Sequence, residues 1–190
     1  MIICNAILIG ILISMNTTYL KWCVKDFKLK YLWYYILSYF ALIFLTATVT
    51  SILMNFGITP DQSANQNEVE SLINSTPYTA IILAVFEAPF IEEMAFRAGI
   101  IFLIIGKSKE KTLLYLAGFI SIVLFSSIHV LQEIINFTTW MDLIAVIYPY
   151  VIPSFILVAL FIKSKKNIIV PTVFHMIVNA ISVAVTLTII

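Results

Sequence analysis

Phe86-Glu87-Ala88-Pro89-Phe90-Ile91-Glu92-Glu93-Met94-Ala95-Phe96-Arg97-Ala98-Gly99 places four ionisable side chains inside a stretch that is otherwise apolar on both sides. The flanks 71–86 and 98–106 carry no charge, so the segment reads as a membrane-crossing helix of about 77–105 with its charges near the middle. Glu92 lies midway between Pro77 and Lys107, where insertion of a carboxylate costs about 2.5–3.5 kcal/mol. Charged groups so placed are functional candidates by default.

The rest of the chain supports the same reading. Of 190 residues, 62% are hydrophobic and 11% charged, far from the roughly 25% charged of ordinary soluble domains. That balance excludes a soluble globular fold and a disordered chain, and a net charge of +1 offers nothing for binding nucleic acid. Further charge-free blocks at 1–20, 31–60, 112–132, 143–162 and 167–190 complete six expected spans, about 2–20, 31–54, 77–105, 112–135, 142–162 and 168–190. With no period-2 alternation these are helices, and the expected architecture is an all-α polytopic membrane bundle of about six transmembrane helices. No linker or repeat divides it, so 1–190 is expected to be a single membrane domain.

All ten lysines fall in three connections, Lys21–Lys30, Lys107–Lys111 and Lys163–Lys166. In a six-span chain these share one side, which the positive-inside rule makes the cytoplasm, and both termini are expected outside. The protein is thus expected in the cell membrane as a multi-pass protein, with Lys, Ile and Asn usage hinting at an A+T-rich bacterial source. The first span has lysines after its apolar stretch and none before, opposite to a secretory signal, so it is expected to be retained. Cys4 and Cys23 are too few for a disulfide framework and read as plain thiols. The polar interval 55–77 reads as an outer loop with a short surface helix over Glu68–Asn74.

Helical geometry divides the buried charges. At 100° per residue Glu93 and Arg97 lie one turn apart and form a local pair, whereas Glu92 points roughly 140° away from Arg97. Glu92 must therefore either be protonated or meet a partner on another helix, and Glu87, beside Pro89 and nearer the outer surface, is expected to be hydrated there. Both histidines also fall inside spans: His129 with Phe125 on its face, and His175 with Asn179 one turn later. A carboxylate with imidazoles suits either zinc-bound water or direct general-base action on water, and a His/Asn pair at i,i+4 can present two donors to one oxyanion.

Glu92-Glu93-Met94-Ala95-Phe96-Arg97 resembles the EExxxR motif of the CAAX protease and bacteriocin-processing (CPBP, or Abi) family of intramembrane proteases, Phe125–His129 its FxxxH motif, and His175–Asn179 its HxxxN motif. The three stand in the family's order within 77–182, and Ala98 replaces the Gly that commonly follows the Arg. The resemblance implies hydrolysis of peptide bonds in membrane-associated peptides or membrane proteins. It implies that Glu92 and His129 activate the water, that His175 and Asn179 stabilise the oxyanion, and that Glu93 and Arg97 support them. Glu92, His129 and His175 would serve equally as three zinc ligands, so glutamate-dependent and metal-dependent mechanisms both stay open. The competing reading is a non-catalytic membrane protein that confers bacteriocin immunity or scaffolds a signalling partner. A proton-coupled transporter is disfavoured, because inverted repeats and paired broken helices are not visible.

Ideal helices counted from the lysine loops put His129 about 27 Å, Glu92 about 22 Å and His175 only about 14 Å deep. Pro171 favours a first helical turn, so the last helix is expected to start near it, with 167–170 extended to lift His175 to the others.

Overall fold

The computed structural model of the chain describes the backbone of residues 2–189 and the side chains of 5, 8–10, 12–14 and 16–188. Nine helices and no strand occur among the described residues: α1 (Ile2–Met15), α2 (Thr17–Lys25), α3 (Tyr31–Asn55), α4 (Ala64–Ser75), a continuous helical rod α5 (77–105), α6 (Lys111–His129), α7 (Leu131–Ile135), α8 (Trp140–Lys163) and α9 (Ile169–Ile189). Within α5 the turns widen to the π form over Ile81–Glu87 and Glu93–Ile100.

The all-α expectation holds, and four helices are long and apolar enough to cross a membrane by length and composition: α3, α6, α8 and α9. The fifth expected span, the rod 77–105, is unbroken helix but carries the four internal charges. The first differs from expectation. It is interrupted at Asn16, whose φ of −116° ends α1 after 14 residues, and α2 follows with lysines on its surface. At about 1.5 Å per residue, α1 alone falls short of a ~30 Å hydrocarbon core. The span expected over 112–135 likewise ends at His129, where Val130 leaves helical geometry and the short α7 begins.

Apolar side chains cover the outside of the bundle. Leu103, Phe44, Phe40 and Phe119 are all mostly exposed, an arrangement at home in lipid and unstable in water. Inside, three clusters divide the packing. Met94, Ile101, Ala117, Phe161 and Ile168 fill the end near the lysines; Tyr35, Ile156, Leu157 and Phe174 pack beneath α3; and Ile73, Ala80, Val85 and Val183 join α4 to α5 and α9. Helices α6 and α8 approach so closely at Gly118 that a Cβ there would meet Val158 Cγ1 at 2.8 Å. Ser121 Oγ donates to the Phe96 carbonyl at 2.8 Å, clipping α6 to α5.

The connections gather at two ends. At the lysine end, Tyr19 donates to the Lys166 carbonyl at 2.6 Å and Asn167 Nδ2 to the Cys23 carbonyl at 2.8 Å, so α2 is fastened to the turn between α8 and α9. Cys23 is a free, buried thiol, as expected; the Cys4 side chain lies outside the described residues. Helix α9 starts at Ile169, with Pro171 in its first turn as the sequence predicts. The preceding residues are not extended, however. Lys165 and Lys166 take positive φ (61° and 66°) in a tight turn, and Asn167 Oδ1 caps the Ile169 N–H at 3.1 Å.

The opposite end is closed by α4, which is longer than the helix expected over Glu68–Asn74 and is more than a surface element. Ser63 caps it by accepting from the Gln66 N–H at 3.1 Å, and Ile73 is buried beneath it. Ser63-Ala64-Asn65-Gln66 has the S-x-x-Q form of a helix start, the signal that places this boundary five residues before Glu68 by roughly one and a half turns.

Candidate active site

The widened turns of α5 begin the site. In the first, the Ala88 N–H bonds to the Leu83 carbonyl instead of to Ala84. Pro89 has no N–H to give, so the Ala84 carbonyl is left without a donor from its own helix. Asn179 on α9 supplies one, its Nδ2 donating to Ala84 at 2.8 Å. The i,i+4 partner of His175 is therefore held by a gap that Pro89 creates on α5.

One turn further, Glu93 and Arg97 form the local pair expected from their spacing, with Arg97 Nε 3.2 Å from Glu93 Oε2 and both side chains wholly buried. The guanidinium is also held by Ser154 Oγ on α8, 2.9 Å from Nη2, and by the face of Phe125, 4.4 Å away. The other oxygen of Glu93 accepts from His175 Nδ1 at 3.0 Å. Arg97 thus fixes Glu93, and Glu93 fixes the imidazole of His175.

His129 is pinned in the same sense. Its Nδ1 lies 2.7 Å from the Phe125 carbonyl, which can only accept, so Nδ1 carries the proton. With Nδ1 so engaged, a neutral imidazole at either position turns its Nε2 lone pair inward. What they face is Glu92: its Oε1 is 3.7 Å from His129 Nε2 and its Oε2 is 3.7 Å from His175 Nε2. Glu92 keeps 23% of its side chain exposed while Glu93 keeps none, which separates a reachable carboxylate from a buried one.

Glu92, His129, His175 and Asn179 all line one cavity of about 310 Å³, roofed by Asn65 and Val69 of α4. The structure thus brings together all six residues singled out by sequence: four at the cavity and Glu93 and Arg97 behind it. Glu92, His129 and His175 meet at one site despite the depth mismatch counted along ideal helices. Glu87 does not line this cavity. It is buried on α5 rather than hydrated, and its Oε2 has no hydrogen-bond partner among the described residues.

Glu92 offers a different oxygen to each histidine, and no three His, Cys, Asp or Glu side chains among the described residues converge on one point as a metal demands.

Sequence reasoning missed the contribution of α8. Tyr150 stacks on His129 with ring centroids 4.9 Å apart, and Ser154, one turn on, holds Arg97. Two polar side chains at i,i+4 in an otherwise apolar helix were the available signal. Helix α4 was missed as a roof because nothing in its polar sequence shows what it covers.

No curated protein and no solved structure matches the chain. A family profile does: that of the type II CAAX prenyl endopeptidase Rce1-like proteins, over residues 74–181, which spans every residue of the site from Glu92 to Asn179. With its three motifs folded into one cavity and more than half its length matched, the chain belongs to the Rce1-like type II CAAX prenyl endopeptidase (CPBP) family.

Proposed function

We propose that this protein is an intramembrane endopeptidase that cleaves peptide bonds with a water deprotonated by Glu92 and His129. Membership of a CAAX-type protease family supports the class of reaction. The observation that carries the mechanism is the proton inventory around Glu92. Two Nε2 lone pairs and a carboxylate meet there, 3.7 Å apart, which is beyond direct hydrogen-bonding distance. A group of acceptors with no donor among them is complementary to a molecule with two protons to give, and water is the smallest such molecule.

In the reaction the water oxygen bonds to the carbonyl carbon as its proton passes to Glu92, assisted by His129 Nε2. The proton then goes to the amide nitrogen as the C–N bond breaks, and the second proton of the water passes from the new carboxylic acid to the amine, leaving a carboxylate and an ammonium. Asn179 retains one Nδ2–H beyond the one given to Ala84 and directs it toward the developing oxyanion. His175 joins it as a donor only in its imidazolium form, since its neutral Nε2 has no proton.

The substrate is an uncharged stretch of a membrane-associated peptide or membrane protein. Val69, Ile73, Phe174 and Val178 give the cavity apolar walls, Asn65 and Gln66 offer neutral amides, and no Lys or Arg lines it. The cavity lies toward the α4 end, away from the lysines, so with the lysine loops cytoplasmic the peptide enters from the outer side.

The test is cleavage of a mixed membrane-peptide library by purified, detergent-solubilised protein, comparing wild type with Glu92→Ala and each with and without chelator. Cleavage that disappears in Glu92→Ala and survives chelation is expected. Loss on chelation would overturn the glutamate mechanism in favour of a metal. A folded wild type that cleaves nothing would favour an immunity or scaffolding protein.

A further inference from the structure

Tyr150 connects two parts of the protein that nothing else joins so directly. Its ring lies 4.9 Å from the imidazole of His129, tilted by 32°, on α8; Phe125 contacts the same imidazole at 4.3 Å. Among the described residues His129 is fixed by one hydrogen bond, through Nδ1, which leaves rotation about that bond to be limited by its ring neighbours and by Glu92 3.7 Å from Nε2. At its other end, the Tyr150 hydroxyl lies 2.6 Å from Ser63 Oγ and accepts from Asn65 Nδ2 at 3.5 Å. Ser63 is the residue that caps α4, and it is 2% exposed.

A second tie stands beside the first. Glu133, just after α6, accepts from the Ala64 N–H at 2.6 Å. Helix α4 is therefore fastened over the cavity at its N-terminal end by two bonds, one from the segment that follows His129 and one from the ring that packs on it. Its C-terminal end continues through Thr76 into α5. Between those ends Ile73 packs with Val85 and Val183, so a swing of α4 about residues 75–77 also has to part that apolar cluster.

We propose that Tyr150 is a positioning residue with two separable parts: its ring holds the His129 imidazole toward Glu92, and its hydroxyl latches α4 shut over the cavity. Releasing the latch opens the cavity to a peptide without disturbing the imidazole, because Tyr150 stays on α8 when α4 moves. The inference rests on the endopeptidase reading for the purpose of the latch, while its geometry is testable without any cleavage.

The experiment uses the full-length protein in detergent with Tyr150→Phe, Tyr150→Leu, Ser63→Ala and the Ser63→Ala/Tyr150→Phe pair. Hydrogen exchange reads the latch. Amides of 64–75 are expected to exchange about fivefold faster in Tyr150→Phe, the effect of one neutral hydrogen bond, and faster still in Ser63→Ala, which also removes the cap on Gln66, with no further gain in the pair over Ser63→Ala. Imidazole resonances of labelled histidine read the ring, and the chain has only two histidines to assign. The His129 signal is expected to stay single and fixed in Tyr150→Phe and to average over rotamers in Tyr150→Leu. In the cleavage assay kcat is expected to fall in Tyr150→Leu and to be restored by Phe, whereas loss of the hydroxyl alone moves KM. Unchanged exchange in both hydroxyl variants refutes the latch, and a fixed His129 signal in Tyr150→Leu refutes the positioning role. A wild type that cleaves nothing refutes the endopeptidase reading, and the exchange and resonance results still decide the two roles of Tyr150.

Discussion

Replacing Arg97 by Met removes a charge from a place with no water. Its partner Glu93 is wholly buried and is left with His175 Nδ1–H as its remaining donor. Breaking a buried ion pair from one side costs about 3–5 kcal/mol, because the surviving charge keeps its desolvation penalty and loses its compensation. For a chain of 190 residues each kcal/mol is worth roughly 2–4 °C, so the thermal midpoint in detergent is expected to fall by roughly 6–20 °C. Glu93→Met is expected to do at least as much damage, since it strands Arg97 and frees His175 together. The Glu93→Met/Arg97→Met pair separates stability from function. With no charge left to bury, the double variant is expected to regain most of the lost midpoint, as buried ion pairs replaced by apolar side chains of similar volume often do. It is not expected to regain cleavage, because His175 has lost the carboxylate that pins its Nδ1 and aims its Nε2 at Glu92. Midpoints by light scattering and single-turnover cleavage, measured on the same preparations, decide it. An Arg97→Met protein as stable as wild type, or a double variant that cleaves normally, would refute the chain of support from Arg97 through Glu93 to His175.

Three further outcomes follow from the geometry. Asn179→Leu leaves the Ala84 carbonyl without a donor and is expected to cost about 1–3 kcal/mol in the midpoint as well as cleavage, whereas Asn179→Gln, with its longer reach, recovers neither in full. Gly118→Leu forces atoms into the space where even a Cβ would meet Val158 Cγ1 at 2.8 Å, and a loss of about 1–3 kcal/mol with separation of α6 from α8 is expected; cross-linking of cysteines placed on the two helices would report it. Asn167→Ala removes both the bond to the Cys23 carbonyl and the cap on Ile169, so the midpoint is expected to drop by about 1–3 kcal/mol and the buried Cys23 thiol to react faster with a maleimide.

Much of this site was legible because membranes make charge conspicuous. Glu92, Glu93, Arg97, His129 and His175 stand out in apolar sequence, and a helical wheel separates the paired carboxylate from the unpaired one. The π turns were not legible, because periodicity reports the average winding of a helix and α5 departs from it only where Pro89 and its neighbours remove or redirect single hydrogen bonds. The break at Asn16 escaped because no charge occurs before Lys21, although the polar Asn16-Thr17-Thr18 already marks the end of the apolar run. Tyr150 and α4 were hidden more deeply. A tyrosine in an apolar helix announces neither what its ring touches nor what its hydroxyl holds, and both are set by contacts far away in sequence.

The two bonds to Nδ1 give the site its directionality. Had either imidazole carried its proton on Nε2, that ring would donate directly to Glu92, and the carboxylate would be satisfied by protein and a poor base for water. A main-chain carbonyl, which can only accept, forbids that tautomer at His129, and the Glu93 carboxylate paired with Arg97 disfavours it at His175. The arrangement keeps Glu92 underserved in the resting site, at 3.7 Å from each ring, and a mid-membrane carboxylate in that condition is driven to take its hydrogen bonds from whatever small donor enters the cavity. On the proposed mechanism the insertion cost of Glu92 is thereby tied to reactivity toward water, while the wholly buried Glu93 is satisfied by Arg97 and stays a support.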